Sequence, residues 1–142
     1  MTLENLENLS RINQFKAEPP DQREFDGMVR SAIVRLVDAK NVSLSRDSRF
    51  DLAYNAAHAL ALAALRWHGY RSDKRYLVFQ CLVHTLGLSP AKAKVFSLCH
   101  ERRNVAEYEG HLEVDDQLIE ELIALTDELL QSVTALGPVG VK

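Results

Sequence analysis

Apolar side chains recur at helical spacing along most of the chain. After Pro19-Pro20-Asp21, the residues Phe25, Met28, Val29, Ala32, Ile33, Leu36 and Val37 fall on one face of a 3.6-residue repeat. Asp21 is placed to cap that helix, with Glu24 as its capping-box partner, so the spacing predicts a helix over 21–40. A serine-rich link over 41–47 leads into a second helix that ends at Gly69. Ser72-Asp73 opens a third, closed by Gly87. Ser89-Pro90 opens a fourth, because serine caps and proline suits the first turn, and Gly110 stops it. A fifth begins near Asp115, whose carboxylate suits the positive end of a helix. It carries Leu118, Leu122, Leu125, Leu129 and Leu136 and stops at Gly137-Pro138. Four of these helices end at a glycine, which enters the left-handed conformation past a helix end without penalty. No segment alternates apolar and polar residues with β-branched enrichment. The expected fold is all-α, an antiparallel up-and-down bundle of four to five main helices.

The second helix is unlike the others. Its alanines, from Ala53 to Ala64, are mixed with Tyr54, Leu60, Leu62 and Leu65, so it is apolar nearly all round. Such a helix must be covered on nearly all sides. It is therefore the centre of the bundle or part of a subunit interface. Ahead of the bundle, Leu3, Leu6, Leu9, Ile12 and Phe15 recur at a strict spacing of three, which drifts around a helix by about 60° per step. That pattern predicts a short peripheral helix over 2–15, docked on a partner subunit. The chain then divides into an N-terminal arm (1–18), the bundle (19–137) and a tail (138–142).

With 142 residues, 46% hydrophobic and 26% charged, the composition is that of one soluble globular domain, which excludes disordered and fibrous classes. The start, Met-Thr-Leu-Glu-Asn, lacks the basic-then-apolar order of a signal peptide. The apolar run Ala53–Leu65 is too short to span a bilayer, so the expected location is cytoplasmic, with no membrane partner. Cys81 and Cys99 sit in apolar runs without C-x-x-C spacing and read as reduced, packed thiols. The net charge of −3 advertises no polyanion partner by itself, yet it hides an asymmetry. Residues 71–103 carry seven basic side chains against two acidic ones, whereas 104–141 carry nine acidic and no basic ones. The basic block can present a local anion-attracting face. The acidic block reads as the solvated side of the last helix.

Of the five histidines, none falls in an H-E-x-x-H or Glu-x-x-His pattern, and no metal or other cofactor is expected. His58 and His84 lie on apolar faces and read as satisfied core or interface residues. No P-loop, G-x-S-x-G or G-x-G-x-x-G is present. The chemistry concentrates at the end of the fourth helix, in His100-Glu101-Arg102-Arg103-Asn104-Val105-Ala106-Glu107-Tyr108-Glu109-Gly110-His111. At helical spacing His100, Arg103, Asn104 and Glu107 share a face. The arginine fork suits phosphate. Asn104 supplies a donor and an acceptor, and Tyr108 can stack on a base. The plainer alternative is a surface ion pair between Arg103 and Glu107 at i, i+4.

The run Arg103-Asn104-Val105-Ala106-Glu107-Tyr108-Glu109-Gly110 resembles the signature of HEPN (higher eukaryotes and prokaryotes nucleotide-binding) domains. The likeness extends to the Asp51–Tyr70 run and the Phe79–Gly87 segment, and covers residues 21–136. It implies a helical bundle that forms a homodimer around the motif and binds RNA or a nucleotide. Many members are metal-independent ribonucleases of toxin–antitoxin pairs, and others accompany a small nucleotidyltransferase. The chain departs from the ribonuclease pattern in one place. Where a histidine is expected after Arg103, four residues intervene and Tyr108 follows, while His111 lies beyond Gly110. With an ordinary pKa near 10, a tyrosine is a poor general base at neutral pH. The resemblance thus implies an RNA- or nucleotide-binding protein with a nucleotidyltransferase-type or antitoxin partner. Its site would comprise His100, Arg103, Asn104, Glu107, Tyr108 and His111. Two alternatives stay open: an active ribonuclease in which His111, His100 or Tyr108 replaces the missing histidine, and a non-catalytic structural interaction module.

Overall fold

In the computed structural model, which describes residues 6–8 and 15–140, Asp21, Ser89 and Asp115 cap helices as the sequence predicts, whereas Ser72-Asp73 does not, since the helix after it has Lys74 at its N-cap position with no side-chain cap. Helix α1 (Gln22–Ala39) begins at Asp21, whose side chain accepts from the backbone N–H groups of Arg23 and Glu24. Helix α2 (Arg46–Trp67) is capped by Ser45. Helix α5 (Pro90–Glu109) is capped by Ser89 and ends at Gly110, with φ of 81°. Helix α6 (Asp116–Thr134) is capped by Asp115. It ends short of the expected Gly137, although Gly69, Gly87, Gly110 and Gly137 all take positive φ. The result is an all-α helical bundle.

Several expectations need correction. The single helix over 72–87 is two short ones, α3 (Arg75–Gln80) and α4 (Leu82–Thr85), divided at Cys81. There ψ is −11° instead of the helical value near −42°, and Phe79 and Leu82 on either side of the break are both in the core. Glu24 does not close a capping box; its carboxylate bonds to Arg66 and Arg71 instead. Ile33 and Val37, assigned to the inner face of α1, are 42% and 62% exposed, while Ala39 is buried. A two-strand antiparallel ribbon is also present, β1 (Lys16–Ala17) against β2 (Tyr70–Arg71), with Lys16 opposite Arg71. Of the expected N-terminal helix, only 6–8 and Phe15 are described. Leu6 is fully buried in this chain's own core rather than docked on a partner.

Helix α2 is the axis. It packs against α1, α6 and the α3–α5 side, and its alanines let those neighbours approach closely. Phe50, Tyr54, Leu60, Leu65 and the alanines between them are buried within the single chain. The apolar surface that suggested a subunit interface is therefore covered from inside. The acidic block lies largely on α6, where Asp116, Glu120, Asp127 and Glu128 pair with Arg46, Arg49, Lys40 and Lys92. Among the described residues, no helix is long and apolar enough to cross a membrane. Cys81 and Cys99 are free and buried, and burial pushes both thiols up to about 12.

Arg66, 2% exposed near the end of α2, is a buried charge tied to several polar partners. Its guanidinium donates to Glu24 Oε1 at 2.7 Å and to the carbonyls of Glu18 and Pro19 at 2.9 and 2.8 Å. Arg71 in β2 donates to the same two carboxylates, Glu18 and Glu24. Hydrogen bonds from Arg71 hold Glu18 below the usual carboxylate range. Burial alone would raise Glu24, but the bonds from both arginines outweigh it and lower it. Removing Arg66 would take one cationic partner from Glu24 and a donor from three carbonyls, one of them Tyr70's, while Arg71 still holds both carboxylates. Arg66→Met is expected to destabilise the fold by about 3 kcal/mol, the low end for a broken buried pair because the carboxylates are partly solvated. Urea unfolding of the two proteins checks this, and Arg66→Lys, which lacks the planar fork, should recover little of the loss.

Candidate functional site

Three helices meet at one corner of the bundle. From α2 come Tyr54, Asn55 and His58, the first and last one turn apart. From α3 come Arg75, Tyr76 and Phe79, and from α5 come His100, Arg103 and Asn104. The i, i+3 and i+4 spacing puts each trio on one side of its helix. Phe79 is the apolar floor, tilted against Tyr54 at 5.7 Å, edge-on to His58 at 5.8 Å and stacked on Phe96 at 5.6 Å.

His100 is held at both ring nitrogens. Its Nδ1 lies 3.0 Å from the Tyr54 hydroxyl and its Nε2 lies 3.2 Å from Asn104 Nδ2. With the Asn104 amide oriented as placed, Nδ2 donates to Nε2, so the ring proton resides on Nδ1 and is donated to Tyr54. Burial, with Arg75 and Arg103 adding repulsion, lowers the His100 pKa. Burial, assisted by Arg75, His100 and Arg103, takes His58 down to about 4. Both imidazoles are neutral at pH 7. Burial raises the Tyr54 hydroxyl, although Arg75 opposes it, so the tyrosine is neutral too.

The charge at this corner comes from two arginines. Their guanidinium carbons lie 5.6 Å (Arg75) and 5.3 Å (Arg103) from the centre of the Tyr54 ring, within cation–π range. Arg75 donates to Asn55 Oδ1, a neutral acceptor, at 3.1 Å. Arg103 donates to Glu107, which is half-exposed, at 3.3 Å. Two buried nitrogens, Arg103 Nε and His58 Nε2, have no hydrogen-bond partner among the described residues. His58 is therefore not the satisfied core histidine that its apolar face suggested.

His100 and Asn104 also line an adjoining cleft of about 800 Å³, walled by Tyr76, Lys94, Ser97 and Tyr108. Tyr76 is 54% and Tyr108 85% exposed, so two aromatic faces are open to a ligand. Of the residues expected from sequence, the structure brings His100, Arg103 and Asn104 together. Tyr108 joins them only through the cleft, one turn on from Asn104. Glu107 lies at the surface as the partner of Arg103, so the ion pair of the plainer reading is formed. His111 does not join the group. It lies past Gly110, exposed, and faces Glu113 at 3.2 Å. Tyr54, Asn55 and Arg75 were not anticipated as site residues. Their signal was the polar pair Tyr54-Asn55 and His58 within an alanine-rich helix, at positions that an all-apolar core would not need.

Chemically, the corner offers cations with spare N–H groups, neutral imidazoles and aromatic faces. The one imidazole at the cleft has both nitrogens engaged, so it is poorly placed to take a proton from a ligand. Among the described residues, no three His, Cys, Asp or Glu side chains come together as a metal would require. Compared with known proteins, the chain matches no protein-family model and no curated protein.

The depressed imidazoles make stability depend on pH. His58 binds a proton more weakly folded than unfolded, so its contribution is intact above its ordinary 6.5 and is lost as pH falls toward 4. The expected loss is about 3 kcal/mol across that window. His58→Leu should reduce the slope of the profile between pH 6.5 and 4.5, leaving there the contribution of His100, whose pKa is also lowered. Urea unfolding at stepped pH reads the difference. A variant curve parallel to the wild type would show that His58 is protonated in the native state.

Proposed function

We propose that the protein is a HEPN-type module that binds RNA or a nucleotide at the corner and cleft between α3 and α5. In this reading it works as a homodimer with a nucleotidyltransferase-type or antitoxin partner. The observation that carries the binding role is the pair Arg103 and Asn104 beside an open cleft with two exposed tyrosine faces. A guanidinium whose carboxylate partner is an exposed side chain suits a phosphate oxygen. Exposed aromatic rings suit base stacking, worth about 1–3 kcal/mol per base. Lys94, at the cleft wall with no ion pair among the described residues, extends the positive ground for a backbone. Binding is preferred to cleavage because both His100 nitrogens are engaged and Tyr108 is solvated.

Arg103→Ala is expected to weaken binding of a single-stranded oligoribonucleotide about tenfold or more, with the fold intact by circular dichroism. The plainer reading, a surface pair with Glu107, predicts unchanged binding and a stability loss under about 0.5 kcal/mol. Anisotropy titrations with labelled RNA separate the two. Running them in EDTA and checking strand length adds the enzymatic alternative: metal-independent cleavage abolished by His100→Ala would make the protein a ribonuclease.

A further inference from the structure

Arg75 is not needed by the cleft, yet it is the second cation on the Tyr54 ring. Two like charges on one buried ring repel each other, and the electron-rich face of the ring offsets part of that repulsion. Among the described residues the pair has a single carboxylate in contact, Glu107 on Arg103, and that contact at 3.3 Å is a surface pair of small worth. Arg75 spends one N–H on the neutral Asn55. Each guanidinium has five donors, and the bonds to Asn55 and Glu107 engage one of Arg75 and one of Arg103.

We infer that Arg75 and Arg103 together form a receptor for a terminal phosphate monoester, the phosphorylated end of an RNA strand or a nucleotide, in preference to an internal phosphodiester. This rests on the reading of the adjoining cleft as the RNA or nucleotide site. A monoester carries about −1.5 to −2 charges at pH 7 and three acceptor oxygens, which matches two guanidinium forks once Glu107 swings into solvent. A phosphodiester brings one charge and two free oxygens. Tyr54 is buried beneath the arginines and the Arg103 Nε and His58 Nε2 atoms are shielded from solvent, so an anion meets the outer N–H groups of the two forks. A terminal phosphate has a single ester link and can turn three free oxygens toward both forks, whereas an internal phosphodiester has a nucleoside on each side and can turn only two. Through His100 and Asn104, which border both regions, the rest of such a ligand reaches the aromatic cleft.

The test uses the full chain, one oligoribonucleotide sequence with no terminal phosphate, with a 5′-phosphate and with a 3′-phosphate, and inorganic phosphate. At least one terminal phosphate should tighten binding about tenfold or more. Arg75→Gln, which keeps a group able to bond Asn55, should remove that increment. Inorganic phosphate should also raise the Tm of the wild type above that in chloride of equal ionic strength, a measurement that needs no variant. If RNA binds and Arg103→Gln weakens it, but neither terminal phosphate nor Arg75→Gln has an effect, the monoester receptor is overturned and the RNA reading stands. If no oligonucleotide binds while phosphate stabilises the wild type and not Arg75→Gln, the receptor stands and the RNA reading fails. Absence of both effects overturns both.

Discussion

The buried guanidinium of Arg66 is the contact on which the rest of the architecture hangs. It closes the C-terminal end of α2 onto the entry to α1 through Glu24 and onto the incoming arm through the carbonyls of Glu18 and Pro19. Arg71 ties the same carboxylates to β2, so the arm, α1, α2 and the ribbon meet at one ionic knot. Burying a charge is costly unless its hydrogen bonds are met, and a hydrophobic substitute of the same shape would pack as well. What the ionic knot adds is registration: a planar fork has few acceptable partners, and each fixes a strand or helix end. The site inherits that registration. Tyr54 rides on the helix that Arg66 ends, and four residues after Arg71 the chain places Arg75 at the start of α3.

What could be read from the sequence was local, and what could not was tertiary. The caps Asp21, Ser45, Ser89 and Asp115 act on backbone groups two or three residues away, so their chemistry is complete in a short window. Ser45 was legible only as part of a serine-rich link, because several serines there could cap. Glu24 marks the limit. Within its window it is a capping-box residue, yet in the fold Arg66, 42 positions away, outbids a neutral N–H with a charge-assisted bond. The ribbon is illegible for the same reason. Two residues on each side show no period, and what sets Lys16 against Arg71 is contact between distant segments: the knot, the Glu18 N–H bond to Gly69 and the Phe15–Tyr70 ring contact.

The candidate site divides along the same line. His100, Arg103 and Asn104 belong to one helix, and their spacing alone puts them on a common side. Arg75 and Tyr54 reach them from other helices, 28 and 49 positions before Arg103, and no spacing rule joins those residues. His58 was misread because an apolar face argues for a buried ring but says nothing of what its nitrogens meet. Here Phe79 offers only an edge-on ring to it, and the neighbouring polar groups are cationic.

The corner is held by neutrality where a reader would expect charge. Two arginines coexist there because the groups between them stay uncharged: burial and the arginines themselves keep His58 and His100 unprotonated, and burial keeps Tyr54 un-ionised. Each imidazole left neutral lowers the repulsion that the next cation meets, while the tyrosine ring presents its electron-rich face to both guanidinium groups. The arrangement makes the Arg103–Glu107 pair compatible with a ligand site instead of an alternative to it. The carboxylate occupies one outer N–H of Arg103 and leaves Nε unpartnered, so it relieves part of the like-charge strain while spending little of the donor capacity. A half-exposed partner at 3.3 Å is also easily exchanged for a stronger anion. In the proposed reading, the same side chain that looks structural along the helix would be, across the three helices, the counter-ion that an arriving anion displaces.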